Sequence, residues 1–514
     1  MDTLFLYNEN LTDQHLLQVM SGFNPSPLHA ATRPACIIRW GSIQGDDAAD
    51  IVLNRKPALK NALDKEKTFS ILKLNRVRRP AFVYLKPTTR FPVIAKSFWE
   101  DPRSSGIKLV RSYAEAVQSK ADFFTEFVDV VKKYRAYVFD LKVFCLTKKI
   151  PVKSNTGLKK AGAAWQYEEI PQDIDADSQK ASAVAIRAIY TLGLDFGEVF
   201  VGINPNGRTY VLDVKAAPPL TPQIAEKFKT ALALYLDDAR NRRRIPPGQV
   251  LLGADPEFIL RDKLTDRLIY PSGFIPKEGT FGYDERSERR EGRLFPLAEI
   301  RPEPDTCPLR LVNKIRWTMA AGIKLIPYEN IEWLAGSLHF ARYQIGGHIH
   351  FGGIRITAQL LKALDNYLGI PIMLIEDPET AAERRKHYGG LGSFRLEPHG
   401  GFEYRTPGSW LVSPEIARGV LCLAKVVACE YPVLKKDFFA DIELQRAFYQ
   451  GKKNYFFDLF EDLWQDVRAT ETYREYQNEL RLFPEMIGGR QSWDEHRDIR
   501  LAWDLEIPNR TMTS

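Results

Sequence analysis

The chain has 514 residues, 44% of them hydrophobic and 27% charged, with a formal net charge of +7. That length exceeds one ordinary core, so at least two domains are expected, each with enough apolar material to pack. No membrane span, secretory signal, disulfide framework or zinc knuckle is legible in it, and the scattered cysteines suit a cytoplasmic protein with reduced thiols.

Short β-like runs alternate with helical patterns through the first half. Strands are predicted at Ala35–Arg39, Val93–Lys96, Tyr137–Phe144 and Tyr210–Val214. A helix opens at Asn61–Lys65, and another runs over Ser178–Leu192, where Ala, Ile and Tyr recur at helical spacing. Pro92–Lys96 is an apolar strand ending in lysine, and Asp101–Gly106 is a small-residue loop before Ile107–Val110. Phe123–Val128, Tyr134–Val138, Leu194–Gly197 and Tyr210–Pro219 follow. This order resembles an ATP-grasp domain, although its motifs are individually loose.

The resemblance implies a role for each matching residue. Lys96 would contact a nucleotide phosphate, and Ser104, Ser105 and Gly106 would form the loop over the phosphates. Glu126 to Val128 would be the adenine hinge, and Arg135 a phosphate or substrate contact. The family's metal positions are eroded, with Phe200 where an acid is usual and Asp213-Val214-Lys215 where Glu-x-Asn is usual. Of these, only Asp213 keeps a hard oxygen ligand for Mg²⁺. Lys215 either supplies positive charge in place of one metal ion or marks a lost activity, and both readings stay open.

Asp237–Gly248 (DDARNRRRIPPG) runs a charged helix end into Pro-Pro-Gly and reads as a boundary. The basic clusters at Arg76–Arg79, Arg240–Arg244 and Arg289–Arg290 read as solvated faces or linkers, since no nucleic-acid module accompanies them. The expected domains are 1–240, a linker at 241–250, a second domain at 251–430 and a helical extension at 431–514.

Four segments of the second half share one pattern. Asp255 and Glu257 lie two apart in GADPEF, as do Glu299, Arg301 and Glu303 in AEIRPEP. His348 and His350 lie two apart in GGHIHFG, and Glu403 and Arg405 in FEYRT. Residues i and i+2 of a strand point to one face, so each strand would aim its ionisable groups one way and its apolar residues (Phe258, Ile300, Ile349, Tyr404) the other. One such strand is merely amphipathic. Four, rich in carboxylate, imidazole and guanidinium, predict a sheet with a charged concave site suited to Mg²⁺ or Mn²⁺ and to phosphate.

From Gly253 to Trp410 these motifs, with RRKHYGGLGSFRLEPHGGFEYRTPGSW, resemble in order the phage-type amidoligases, a branch of the glutamine synthetase and glutamate–cysteine ligase superfamily. The fold then expected is α+β: an ATP-grasp-like α/β domain, then a glutamine synthetase-like curved antiparallel sheet with helices and a helical tail. The resemblance implies metal ligands at Glu257, Glu299, His348 and Glu403, with Asp255 a weaker candidate. Glu303 is a weaker candidate of the same standing as Asp255, each being either a ligand or a group that orients its neighbours. Arg301, Arg395 and Arg405 would hold phosphate or the substrate carboxylate, and His350 and His399 nucleotide or substrate. Arg384, Arg385 and Tyr388 fall in an expected mobile loop or on the surface.

The implied activity is ATP- and Mg²⁺-dependent ligation of a carboxylate to an amine through an acyl phosphate, on small-molecule or peptide substrates. Two alternatives remain: a superfamily kinase acting on a nitrogen or carboxylate group, and a non-catalytic nucleotide-binding scaffold.

Overall fold

A computed structural model of the chain describes residues 3–7, 36–41, 49, 51–96, 107–119, 121–151, 165–241, 244–284, 294–398 and 400–512. The chain divides into two compact units, Met1–Arg240 and Asn241–Ser514.

In the first unit, β1 (Thr3–Tyr7), β2 (Cys36–Trp40) and β3 (Ile51–Leu53) form a parallel sheet. Two helices follow, α1 (Lys56–Leu63) and α2 (Lys65–Leu74). The helix start expected at Asn61–Lys65 is instead their junction. Pro57 sits in the first turn of α1, where a missing N–H does no harm. Asp64 leaves helical geometry to cap α2, accepting a hydrogen bond from the Lys67 N–H.

A small antiparallel sheet, in the order β5-β4-β6, is built from β4 (Val93–Lys96), β5 (Ile107–Val110) and β6 (Phe123–Glu126). Beyond it comes a five-stranded antiparallel sheet of β7 (Lys132–Phe139), β8 (Lys142–Pro151), β9 (Trp165–Glu169), β10 (Phe196–Ile203) and β11 (Thr209–Lys215), ordered β11-β10-β7-β8-β9. The single strand expected at Tyr137–Phe144 is a hairpin. Asp140 and Leu141 take φ of 45° and 60°, as a two-residue turn matched to strand twist demands. Trp40, Phe139 and Phe196 pack with Phe228, Leu232 and Leu236 of the long helix Pro222–Asn241.

The second unit is organised around one long strand, β12 (Leu251–Asp262). Its sheet is antiparallel, and its main path runs β14 (Phe281–Tyr283), β15 (Ala298–Ile300), β12, β19 (Gly347–Gly352), β21 (Phe402–Tyr404) and β20 (Phe394–Leu396). β13 (Arg267–Ile269) and β16 (Ile331–Leu334) pair with the far end of β12, while β17 (Leu338–His339) and β18 (Tyr343–Gln344) form a separate two-stranded pair. An almost wholly buried helix, Pro414–Glu430, packs against the helix Pro308–Ile323.

The segment expected to act as a linker is pinned to that helix. Ile245 N donates to Cys429 O, Arg244 pairs with Glu430, and Lys425 Nζ donates to Pro247 O and Val250 O. Residues after 431 belong to the same compact unit and are mainly helical. Their last part, where the sequence carries no strong signal, is tied in by polar groups: Glu495 accepts from Ser337 N, and Asp498 from Trp333 N. Among the described residues no helix is long and apolar enough to cross a membrane.

Candidate active site

The four segments with alternating ionisable residues are consecutive neighbours in the second sheet, in the order β15-β12-β19-β21. Their register opposes Glu257 to Glu299, Asp255 to His348, and His350 to Glu403, with Arg395 of β20 also opposite Glu403. Directly opposed residues share a face. Strand pairing therefore converts a one-dimensional alternation into a two-dimensional cluster.

Asp255 Oδ1 lies 3.2 Å from His348 Nδ1 and 3.0 Å from His350 Nε2. Glu403 Oε1 lies 3.1 Å from the same His348 nitrogen and 3.2 Å from Arg405 Nε, while its Oε2 lies 2.9 Å from Arg395 Nε. Asp255, His350 and Glu403 each offer a ligand atom, and the three atoms lie within 4.8 Å of one another. A cavity of about 670 Å³ opens above them, lined also by Lys277, Asp284, Glu299, Arg301 and His348. A second cavity of about 250 Å³ shares Asp255, Arg301 and His350 with it and adds more apolar walls at Pro302, Pro304, Phe351 and Phe402.

The electrostatics suit a cation site. Burial opposes the Asp255 charge, yet His348 and His350 hold its carboxyl well below the usual range. Burial and then the Asp255 charge drive Glu299 the other way, well above an ordinary carboxylate, despite Arg301. Burial disfavours the His350 imidazolium, but Asp255, Glu403 and Glu397 together raise its pKa. Asp255 Oδ1, both Glu403 oxygens and His348 Nδ1 are buried without a well-formed hydrogen bond. Close-packed carboxylate oxygens and imidazole are the ligand types a hard divalent cation takes, so the residues fit Mg²⁺ or Mn²⁺.

The expected site residues are unevenly placed. Asp255, Glu299, Arg301, His348, His350, Arg395, Glu403 and Arg405 all line the larger cavity. Within the three-donor group the histidine is His350, not His348. His348 Nε2 is instead engaged with Tyr388 Oη at 2.8 Å, and that hydroxyl also accepts from Arg405. Glu257 is fully buried below the cavity and accepts from Gly346 N at 2.7 Å. Glu303 is exposed and borders neither cavity.

Arg384 and Arg385 lie neither in a loop nor on the surface. They are buried on the helix Pro378–Arg385. Arg384 donates to the carbonyls of Ile345, Thr406 and Pro407, while Arg385 pairs with Glu376. The buried carbonyls of Ile345 and Thr406, together with that of Pro407, which also accepts from Gly347 N, account for the position of Arg384. Glu397, Lys277 and Asp284 were not singled out in the sequence. Glu397 lies within a recognised motif, two residues from Arg395, and that spacing was the available signal.

In the first unit, Asp213 is buried against Lys65, with Oδ1 2.8 Å from Nζ, and Lys96 Nζ donates to Leu212 O at 2.7 Å. Arg135 lies 4.0 Å from the Tyr167 ring centroid and 5.0 Å from that of Phe200, which Lys215 also approaches at 5.2 Å. Glu126 is exposed at the end of β6, where it accepts from Ala81 N, and Val128 lies beyond that strand. Ser104, Ser105, Gly106 and His399 lie outside the described residues. Lys65 and Glu198 were missed, although Glu198 sits two positions before Phe200 on the same face.

The N-terminal half is similar to the ATP-grasp ligase PsnB complexed with minimal precursor, at 15% identity and a TM-score of 0.35, covering 46% of this chain and 99% of that one. The D-alanine–D-alanine ligase from Bacillus anthracis gives 12% identity and a TM-score of 0.33, covering 46% and 98%. The macrocyclase MdnC from Microcystis aeruginosa MRC, bound with precursor peptide MdnA, gives 9% and 0.32, covering 45% and 99%. No curated protein matches the chain. Residues 252–505, from the second residue of β12 to just past the last helix, match the family model described as Phage phiEco32-like COOH.NH2 ligase-type 2. Over those residues the chain is similar to that family of carboxylate–amine ligases.

Proposed function

We propose that the second unit forms an amide or isopeptide bond from ATP, a carboxylate and an amine, through an acyl phosphate, on an amino-acid or peptide-like substrate. The observation that carries this reading is the Asp255–His350–Glu403 group at the floor of a cavity rimmed by Lys277, Arg301, Arg395 and Arg405. A carboxylate does not react with amines because oxide would have to leave. In the first step a substrate carboxylate oxygen bonds to the γ-phosphorus of ATP and the bond to ADP breaks. In the second the amine nitrogen bonds to the acyl carbon, phosphate leaves, and the nitrogen gives up a proton to a nearby carboxylate.

Asp255, His350 and Glu403 would hold Mg²⁺, which supplies charge neutralisation for the phosphates. The chain's own part is orientation. Arg301 is fixed by the carbonyls of Lys277, Gly279 and Tyr283 and by Glu299, so it meets a phosphate or carboxylate with its guanidinium already aligned. Arg395 and Arg405 flank Glu403 and offer the same chemistry from the opposite wall.

The test uses the full chain with Mg²⁺, ATP, hydroxylamine and a panel of amino acids and peptides. An acyl phosphate is trapped as a hydroxamate, and ADP release then depends on both acid and amine. Glu403→Gln and Asp255→Asn should each lower turnover by roughly 10²-fold or more with unchanged circular dichroism. A stable phosphorylated product would favour a kinase. Full activity in both variants would sink the assignment.

A further inference from the structure

The polar face of β10 and β11 in the first unit already contains its own cations. Lys215 stands opposite Glu198, and Asp213 opposite Phe200. Lys65 Nζ reaches Asp213 Oδ1 at 2.8 Å and also donates to Val214 O at 2.7 Å. Arg135 Nε lies 3.8 Å from Glu198 Oε1. Both Glu198 and Asp213 are buried. An aromatic ring at Phe200 and an ammonium group at Lys215 occupy positions from which a carboxylate would otherwise reach a metal. Each ammonium would also repel a divalent ion brought within a few ångströms in this low-dielectric setting. Among the described residues, the group of three metal-type donors lies in the other unit.

We propose that this face binds no divalent cation and that Lys65 and Lys215 take over the positive charge a metal would bring, which leaves, among the described residues, one divalent-ion centre, at Asp255, His350 and Glu403. Any phosphate or carboxylate held by β10 and β11 would be met by ammonium and guanidinium groups directly. Electrostatics agree. Burial raises the Glu198 carboxyl towards its neutral form, against Lys215 and Arg135. Burial also opposes the Asp213 charge, but Lys65, Lys96 and Lys215 overcome it. The location of the single centre rests on the ligase reading of the second unit, whereas the exclusion of metal from the first does not.

Mn²⁺ titration followed by electron paramagnetic resonance, on the full chain with a non-hydrolysable ATP analogue, tests both parts. Glu403→Gln should weaken bound Mn²⁺ at least about tenfold, while Asp213→Asn and Glu198→Gln leave the titration unchanged. Glu198→Gln is the milder substitution and keeps the test open if Asp213→Asn misfolds. Mn²⁺ that persists in Glu403→Gln and is lost in either first-unit variant would overturn the proposal. Mn²⁺ indifferent to all three variants would remove the second-unit centre and leave the exclusion from β10 and β11 standing.

Discussion

At Gly346 the site has almost no room to spare. A Cβ built there would lie 2.2 Å from His348 Nε2, so Gly346→Ala must push the imidazole away from Tyr388. Misplacement of this kind costs rate and folding on a similar scale: roughly 10²-fold in turnover, about 2.7 kcal/mol of barrier, beside about 1–3 kcal/mol of stability, readable from kcat and a urea midpoint. His339 differs, because its effect is expected in stability. Burial pulls its imidazole down to about 4, and its Nε2 lies 2.8 Å from Ala335 O. The unfolded state takes up a proton below about pH 6.5 while the folded state does not. Its contribution is thus complete above that pH and erodes as the pH falls towards 4, by up to about 3 kcal/mol. His339→Gln should flatten this slope in urea unfolding between pH 7 and 4.5, and equal slopes in the two proteins would refute the assignment. Both residues show where sequence reading stops. The alternation at His348 and His350 is visible in the sequence, but the closeness of Gly346 to His348 and the burial of His339 arise only after strands pair.

Among the elements, the helix Pro378–Arg385 does more than its composition suggests. Arg384 Nε donates to Ile345 O, just before β19, and its Nη atoms to Thr406 O and Pro407 O, just after β21. One guanidinium thus clamps the approach to one active-site strand to the exit from another. Arg384→Met should remove about 3 kcal/mol, since the buried carbonyls of Ile345 and Thr406 lose this donor while Pro407 O keeps Gly347 N, and should lower turnover in proportion to the loosened strands. A urea midpoint within experimental scatter of the parent would argue against the clamp. The charged residues around Arg384 look like a solvated helix, and nothing local in the sequence tells an exposed arginine from one that closes three carbonyls. The alternating strands were easier to read because a period of two survives without tertiary knowledge. Their adjacency in the order β15-β12-β19-β21 depends on register, as does the opposition of Glu198 to Lys215, and neither has a local signature.

For the whole molecule, two compact units with separate cores imply two unfolding events and a ligand response confined to one of them. Mg²⁺ with a non-hydrolysable ATP analogue, at 100 times its Kd, should stabilise the unit that binds the metal by about 2.7 kcal/mol. Hydrogen exchange should slow in Leu251–Asp262, Gly347–Gly352 and Phe402–Tyr404, and the metal-dependent part of the protection should vanish with EDTA. Metal-dependent protection in Phe196–Ile203 instead would contradict the single centre.

The position of β12 at the middle of its sheet also has a consequence during synthesis. As the first strand of its unit to leave the ribosome, it soon gains β13 along its last three residues, but the rest of both edges waits for β15, β16 and β19. At roughly 5–20 residues per second that interval lasts several seconds. A long strand with an apolar face and two largely open edges is then available to neighbouring nascent chains. Slower initiation or a lower culture temperature should therefore raise the recovered fraction of this protein more than any change made to its finished surface.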